Sequence, residues 1–306
     1  MEGVFEGFTS ITVLVLLGML VAHVGLIDAS GQRALATIAF FVAGPALLLV
    51  VLADSELSEV LSGNMIAIAA AMLASAVPVI IFTAWKGLRL GDSVIYMLCS
   101  AYQNGGNLGI PIAAYVLGDA ALVAPVMLIQ LLVLQPIALA LLDADALGHM
   151  SARTILVRTT TNPFTIGTGI GVFLSATSTS LPRVAMDPLE LIAGMAVPAM
   201  LMAYGISLRL GPLPGRGAPV GDLALVTGLK MIVQPAAAYL IGRFTLGLED
   251  TALLAVTILS ALPTAQNIFI MATRYNRSMI LARDAIFIST ISSVPVIAII
   301  TALIAP

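Results

Sequence analysis

Long apolar segments alternate with short polar connections along the whole chain. A helix needs about twenty apolar residues to cross the hydrocarbon core of a bilayer. By that rule the pattern predicts ten membrane-spanning helices, numbered spans 1 to 10, at residues 5–26, 33–53, 64–86, 92–117, 121–142, 155–177, 187–208, 222–246, 250–274 and 281–304. The pattern therefore predicts an all-α integral membrane protein.

Two of these spans contain helix-breaking residues near their centres. Residues 104–111 in span 4 read NGGNLGIP and include Gly106, Gly109 and Pro111, while residues 260–267 in span 9 read SALPTAQN and include Pro263. Proline removes a backbone donor and clashes with the preceding turn. In hydrocarbon each freed backbone group costs several kcal/mol, so broken helices occur only inside protein or beside a water-filled cavity. Interrupted segments at matching places in two halves of a chain indicate a transporter binding site.

The prolines indicate an internal repeat. Three pairs in corresponding spans are separated by 153, 157 and 159 residues: Pro45 and Pro198, Pro78 and Pro235, and Pro136 and Pro295. Five spans in each half is an odd number, so equivalent helices would run in opposite directions. We therefore predict an inverted repeat of residues 1–142 and 155–306, joined by a short connection at 143–154. The alternative is a chance alignment of prolines, which membrane helices tolerate.

Composition and charge support the membrane assignment and predict its orientation. The 306 residues are 60% hydrophobic and 9% charged, against about 25% charged in soluble domains. A net charge of −3 gives no reason to expect a nucleic-acid partner. Ten Lys and Arg follow odd-numbered spans, whereas only Arg183 and Arg243 lie on the opposite side. This bias predicts that the odd-numbered loops are cytoplasmic and that both termini lie outside.

Four stretches, in order along the chain, resemble the auxin efflux carrier family. They are AYQNGGNLGIPIAAYVLG in span 4, TTTNPFTIGTGIG in span 6, GLKMIVQPAAAY in span 8 and LSALPTAQNIFIMA in span 9. The family includes plant auxin exporters and bacterial permeases for malonate, malate and similar anions. The short connection at residues 143–153, where plant members have a long cytoplasmic loop, favours a compact prokaryotic permease in the inner membrane.

The resemblance also implies a fold and a mode of action. It implies ten helices in an inverted repeat, like sodium/proton antiporters and bile-acid symporters, with spans 4 and 9 crossing at their unwound centres. A transport domain of spans 3–5 and 8–10 would move against a scaffold of spans 1, 2, 6 and 7. The resemblance further suggests a homodimer formed through the scaffold.

The two breaks suit an anionic ligand. A helix begins with unpaired N–H groups and a partial positive charge of about half a unit, so two such ends can bind a carboxylate. Asn107 and Asn267, which the repeat matches, could add amide donors, or they could only cap backbone groups freed by the prolines. Further polar residues at the breaks could assist them: Gln103, Asn104, Thr264 and Gln266. Two glutamines of span 5, Gln130 and Gln135, could face the domain interior or a water path.

Lys230 is the only Lys or Arg that lies away from the ends of a predicted span. A central lysine costs about 2.5–3.5 kcal/mol on insertion scales, so some interaction should offset it. It could attract the anion or act as a fixed cation that replaces a bound sodium ion. Alternatively, it could snorkel to the inner interface or bond backbone carbonyls. The acids lie at span ends or in loops, so coupling to protons or sodium stays open.

The residues predict a carrier without enzymatic chemistry. One cysteine and two distant histidines, His23 and His149, form no metal site or catalytic group, and no cofactor is expected. We therefore predict a secondary transporter that moves small organic anions by elevator-type alternating access. The alternatives are a sodium-coupled symporter of the bile-acid type and a membrane sensor that binds a ligand without moving it.

Overall fold

A computed structural model describes residues 2–53, 63–109, 112–113, 116–118, 120–147, 160–161, 163–211, 215 and 217–304. Within these residues the chain is helical and contains no β-strand, which confirms the all-α prediction. The α-helices are α1 (Glu2–His23), α2 (Ala29–Ile38), α3 (Gly44–Ala53), α4 (Gly63–Trp85), α5 (Leu90–Ala101), α6 (Ala124–Ile129), α7 (Gln135–Leu147), α8 (Pro163–Ala176), α9 (Arg183–Leu210), α10 (Val220–Gly228), α11 (Gln234–Leu240), α12 (Asp250–Ser260), α13 (Asn267–Tyr275) and α14 (Met279–Ile304).

Many of these helices are apolar enough to cross a membrane. Six continuous helical segments of the described chain are also long enough: Ala29–Ala53, Gly63–Trp85, Pro125–Ala146, Arg183–Leu210, Val220–Thr245 and Met279–Ile304. Four shorter apolar segments accompany them: Thr12–His23, Leu90–Ala101, Thr165–Ala176 and Thr251–Ser260. These lengths and compositions agree with a multi-pass membrane protein.

In the described part of the chain, three helical segments contain a wide π turn and then continue past a proline. The turns Ala39–Ala43, Gln130–Leu134 and Leu229–Val233 each end two residues before Pro45, Pro136 or Pro235. In an α-helix the proline ring would clash with the carbonyl four residues earlier. A π turn adds a residue and bonds i to i+5, which allows the helix to continue past the proline.

Helices α1 and α9 pack with their backbones in contact. A Cβ atom on Gly205 would lie 2.1 Å from the carbonyl oxygen of Val15, and one on Gly18 would lie 2.4 Å from that of Met202. Small residues allow helices to approach this closely in a membrane. This close contact joins the predicted spans 1 and 7.

Helices α3 and α8 form a second pair of the same kind. A Cβ atom on Gly167 would lie 2.3 Å from the carbonyl oxygen of Pro45, and one on Gly171 would lie 2.8 Å from that of Leu49. This contact joins the predicted spans 2 and 6. Under the proposed repeat, spans 1 and 7 correspond to spans 6 and 2, so the two pairs are equivalent.

Helix α7 continues beyond the predicted end of span 5. We predicted a connection from residue 143, but the helix runs to Leu147. The acids there have partners on the segment that follows span 9: Asp143 accepts a 2.9 Å hydrogen bond from the Tyr275 hydroxyl, and Arg277 donates to Asp145 at 2.7 Å. Because these contacts satisfy the carboxylates, the helix can extend through them.

The location of Arg283 differs from the sequence prediction, which counted this residue among those of the loops. It lies on the second turn of α14 with 2% of its surface exposed and pairs with the fully buried Asp284, at 2.6 Å from Nη2 to Oδ1. Asp284 also accepts from the backbone N–H of Gly215, and the Tyr204 hydroxyl donates to the carbonyl oxygen of Arg283. These contacts satisfy the buried pair, so a charged residue close to a span end need not face water.

Candidate binding site

The two interrupted segments meet through their backbones. The N–H of Asn104 donates to the carbonyl of Pro263 at 2.8 Å, and the N–H of Ala265 donates to that of Tyr102 at 3.3 Å. Gln103 and Thr264 thereby form an isolated antiparallel bridge. Buried backbone groups need partners, and here each break supplies them to the other. The two breaks are therefore stable together.

The side chain of Thr264 is directed to the backbone rather than to a ligand. Its hydroxyl donates to the carbonyl of Cys99 at 2.6 Å, and its N–H donates to the Ser289 hydroxyl at 3.1 Å. Thr264 is fully buried. These contacts hold the second break against the helix that precedes the first one.

A small cavity of about 90 Å³ lies beside the breaks. Five of the predicted residues line it: Gln103, Asn104, Gly106, Gln266 and Asn267. The other lining residues come from both breaks, from span 5 and from helices α3 and α9: Tyr102, Gly105, Ala265, Met127, Gln130, Leu131, Gln135, Gly44, Leu47, Leu48, Val197 and Met200. The cavity therefore has an amide-rich wall at the breaks and an apolar wall on α3 and α9.

The remaining predicted residues do not line this cavity or lie outside the described structure. Thr264, Lys230, Gly109 and Pro263 are not among the lining residues. The backbone of Asn107 lies in the π turn Gly105–Gly109, but its side chain is outside the described part of the chain, as is the whole of Pro111.

Two amide groups in the cavity wall are oriented by neighbouring side chains. Gln130 donates to Oε1 of Gln103 at 2.8 Å, and the Tyr102 hydroxyl donates to Oε1 of Gln135 at 2.9 Å. These bonds leave Nε2 of Gln103 and Nε2 of Gln135 buried, without a hydrogen-bond partner among the described residues. Such a group costs about 1–3 kcal/mol. Two residues of the cavity wall therefore carry N–H donors that no described group accepts from.

The same wall holds one unpartnered acceptor. Oδ1 of Asn267 is buried and has no hydrogen-bond partner in the described part of the chain. Asn104 and Gln266, in contrast, are joined by a side-chain hydrogen bond of 2.8 Å. The cavity could thus accept one hydrogen bond from a ligand hydroxyl or water in addition to donating two.

The π turn in span 5 brings two glutamines to the same cavity. The N–H of Gln135 donates to the carbonyl of Gln130, five residues earlier. In a regular α-helix, residues five apart point in directions about 140° apart, whereas the wider turn brings them onto one face. Gln130, Gln135 and Tyr102 are missing from the predicted site. The available signal was two glutamines in an otherwise apolar span.

Lys230 is fully buried and is not among the residues that line this cavity. Its ammonium group donates to Oε1 of Gln234 at 2.5 Å and to the carbonyl of Ser260 at 3.3 Å. Gln234 in turn donates to the carbonyl of Ala101 at 3.2 Å. Lys230 therefore contacts the ends of helices rather than the cavity.

No metal site emerges from the side chains that the structure describes. Among those residues, no three His, Cys, Asp or Glu side chains are grouped to hold a metal ion. The site chemistry is that of neutral amides, hydroxyl groups and helix ends.

Comparisons with known proteins agree with a transport role. A sequence model described as "Membrane transport protein" matches residues 4–301. A protein of Methanothermobacter thermautotrophicus named "Uncharacterized transporter" is 26% identical over 295 residues, which cover 95% of each chain. A protein of Rhizobium meliloti named "Putative malonate transporter" is 26% identical over 293 residues, covering 92% of this chain and 89% of that one.

Proposed function

Because the chain belongs to the membrane transport protein family, the auxin efflux carrier family of the sequence resemblance, we propose that it is a secondary carrier for small organic anions. The observation that carries this proposal is the pair of buried, unpartnered amide donors on Gln103 and Gln135. Both residues line a cavity beside two broken helices. A carboxylate would complete both hydrogen bonds.

The cavity suits a small carboxylate with an apolar or short remainder. Its lining combines the amides at the breaks with apolar side chains of α3 and α9. The carboxylate would bind the amides, and the rest of the substrate would lie against Leu47, Leu48, Val197 and Met200. The name of the Rhizobium meliloti relative favours malonate as the first substrate to test.

We assign the proposed substrate contacts to the two breaks and to span 5. Asn107, Asn267, Gln266, Asn104 and Gln103 are the residues chosen from the sequence. Gln135 joins them because its free amide lines the cavity. Pro111, Pro263, Gly106 and Gly109 would shape the breaks, and Thr264 would hold the second break in position.

The proposed architecture is ten spans in a 5+5 inverted repeat, with spans 4 and 9 crossing at their breaks. The backbone contacts between the breaks support the crossing. The equivalent close contacts of α1 with α9 and of α3 with α8 support the repeat. One cavity wall belongs to the proposed scaffold and the others to the proposed transport domain, which favours elevator-type movement between them.

The proposed orientation follows from the charges. The excess of Lys and Arg after odd-numbered spans favours cytoplasmic odd loops, with both termini outside. For a bacterial or archaeal carrier the membrane would be the inner one. A homodimer through the scaffold completes the proposal.

Membrane potential would drive an uncoupled anion outwards. At 100 mV, negative inside, each charge is worth about 2.3 kcal/mol, or roughly a fifty-fold gradient. Uptake would need a proton or a cation to move with the anion. The direction of net transport therefore depends on coupling.

Charge movement in proteoliposomes tests this function. Malonate, malate, lactate and an indole acid would be added rapidly to the wild type and to Asn267→Ala, with and without sodium or a proton gradient. We expect a substrate-specific current in the wild type that is lost in the variant. Neither current nor isotope flux for any carboxylate would refute the anion carrier, and saturable binding without flux would favour a sensor.

A further inference from the structure

Two helix C-termini end side by side at the breaks. Ala101 is the last residue of α5, and Ser260 is the last residue of α12. The last carbonyls of a helix lack intrahelical partners and carry a partial negative charge of about half a unit. Both residues are fully buried, so water cannot satisfy these carbonyls. Their negative potential has to be balanced within the protein.

Lys230 and Gln234 bind both of these helix ends. The Lys230 ammonium lies 3.3 Å from the Ser260 carbonyl and donates to Oε1 of Gln234. The amide of Gln234 donates to the Ala101 carbonyl at 3.2 Å. Lys230 thus contacts the Ser260 end directly and is linked to the Ala101 end through the Gln234 amide. All four residues are completely buried.

The positive charge of Lys230 has no carboxylate partner in the described structure. The ion pairs there are Lys86 with Asp222, Arg243 with Glu249, Arg277 with Asp145 and Arg283 with Asp284. The Lys230 ammonium donates instead to one amide oxygen, on Gln234, and one carbonyl oxygen, on Ser260. Neutral oxygens of this kind are also ligands for hard metal cations, so the ammonium occupies a position that would otherwise suit a small cation.

We propose that Lys230 is a built-in cation that replaces a coupling metal ion, so that the protein binds and moves its anion without sodium or potassium. The transport part of this inference rests on the proposed function, whereas the structural part does not. Lys230 is in this view a positioning residue. It holds the two helix ends together, and it keeps the adjacent breaks in the conformation that presents the cavity amides.

The structural part is tested by the thermal stability of the purified full-length protein in equal concentrations of choline, sodium or methylammonium chloride. Wild type should have the same Tm in all three salts. Lys230→Ala should lose several degrees in choline and regain part of that loss in methylammonium, which can enter the vacated space. Lys230→Met is the matched control, because its side chain fills the space without a charge and should not be rescued.

Several results would overturn the structural part. They are an unchanged Tm in Lys230→Ala, equal behaviour of Lys230→Ala and Lys230→Met in every salt, and a wild-type Tm that rises in sodium. If Lys230→Ala does not fold, Gln234→Ala provides the second variant. It keeps the cation but releases Ala101, and it should lower the Tm by a smaller amount in all three salts alike; an unchanged Tm would contradict the proposal.

The transport part needs no variant. Malonate flux through wild-type protein in liposomes should be equal within twofold when choline replaces all sodium and potassium. A strict requirement for either metal ion would overturn the proposal. If no carboxylate is transported in any salt, the proposed function fails, while the stability measurements still decide the role of Lys230.

Discussion

The side-chain amide of Asn104 donates a 2.8 Å hydrogen bond to Oε1 of Gln266, a residue 162 positions away. Both residues are buried and both line the cavity. The bond therefore joins the two interrupted segments by side chains as well as by backbone. It also fixes the direction in which each amide faces the cavity.

The first prediction concerns this pair. Asn104→Ala and Gln266→Ala should each lower the free energy of unfolding by about 1–3 kcal/mol, because each removes the buried hydrogen bond between these two side chains. The double variant should cost less than the sum of the two, by about 1 kcal/mol. Thermal unfolding of the four proteins measures this coupling. Strict additivity would show that the bond does not stabilise the fold.

The second prediction concerns Gln135. Replacing it with leucine removes one of the two free donors, so KM for the transported carboxylate should rise about tenfold or more, as expected for a lost hydrogen bond to a charged group. Gln32→Leu is the matched control, since Gln32 is also buried with an unpartnered amide but lies at the start of α2, away from this cavity. Equal KM values in flux assays of the two variants would argue against a binding role.

A companion variant separates binding from folding. Gln135→Leu also deprives the Tyr102 hydroxyl of its acceptor. Adding Tyr102→Phe removes the hydroxyl that has lost this acceptor, so it should recover part of the lost stability. The raised KM should stay. If both the stability and KM returned towards their wild-type values, Gln135 would act only on stability.

The third prediction tests the close contact of α1 with α9. Gly205→Ala places a methyl group 2.1 Å from a backbone oxygen, and it should lower stability by about 1–3 kcal/mol, as overpacking does. Gly194→Ala lies on the same helix with nothing within 4 Å of the added carbon. That control should be neutral or slightly stabilising, because alanine favours helix. A similar Tm for the two variants would contradict the packing.

The fourth prediction concerns the buried ion pair. Asp284→Asn should destabilise the protein by about 3–5 kcal/mol, because it leaves the buried Arg283 uncompensated. The double change Arg283→Met and Asp284→Leu should recover much of this loss. The exposed pair of Arg243 and Glu249 is the control, and Arg243→Met should change stability by less than about 1 kcal/mol. A loss as large for Arg243→Met as for Asp284→Asn, measured by thermal unfolding, would refute this account.

The sequence was sufficient to locate the two breaks. Lipid penalises unsatisfied backbone so strongly that Pro111, Pro263 and the glycines beside them had to lie within protein or beside a cavity. Their matching places in the two halves indicated a transporter binding site, and the family resemblance implied that they cross. Five of the residues chosen on this basis, among them Gln266 and Asn267, line one cavity.

Side-chain direction could not be predicted in the same way. Thr264 sits in the second break but turns to the Cys99 carbonyl, because the bridge with Gln103 fixes its backbone. Arg283 looked like a loop residue because its burial depends on Asp284 and on the distant Gly215. Gln130 and Gln135 were expected to face the domain interior or a water path but were not placed in the site, since a regular helical period assigns them to different faces.

The π turn before Pro136 has a consequence for sequence alignment. A relative without that proline could form this span as a regular α-helix with one residue fewer in the turn. A gap-free alignment would then match one of the two cavity glutamines of this chain to a lipid-facing position of the relative. Alignments of span 5 therefore need a one-residue gap within Gln130–Leu134 before substitutions at Gln130 and Gln135 can be compared.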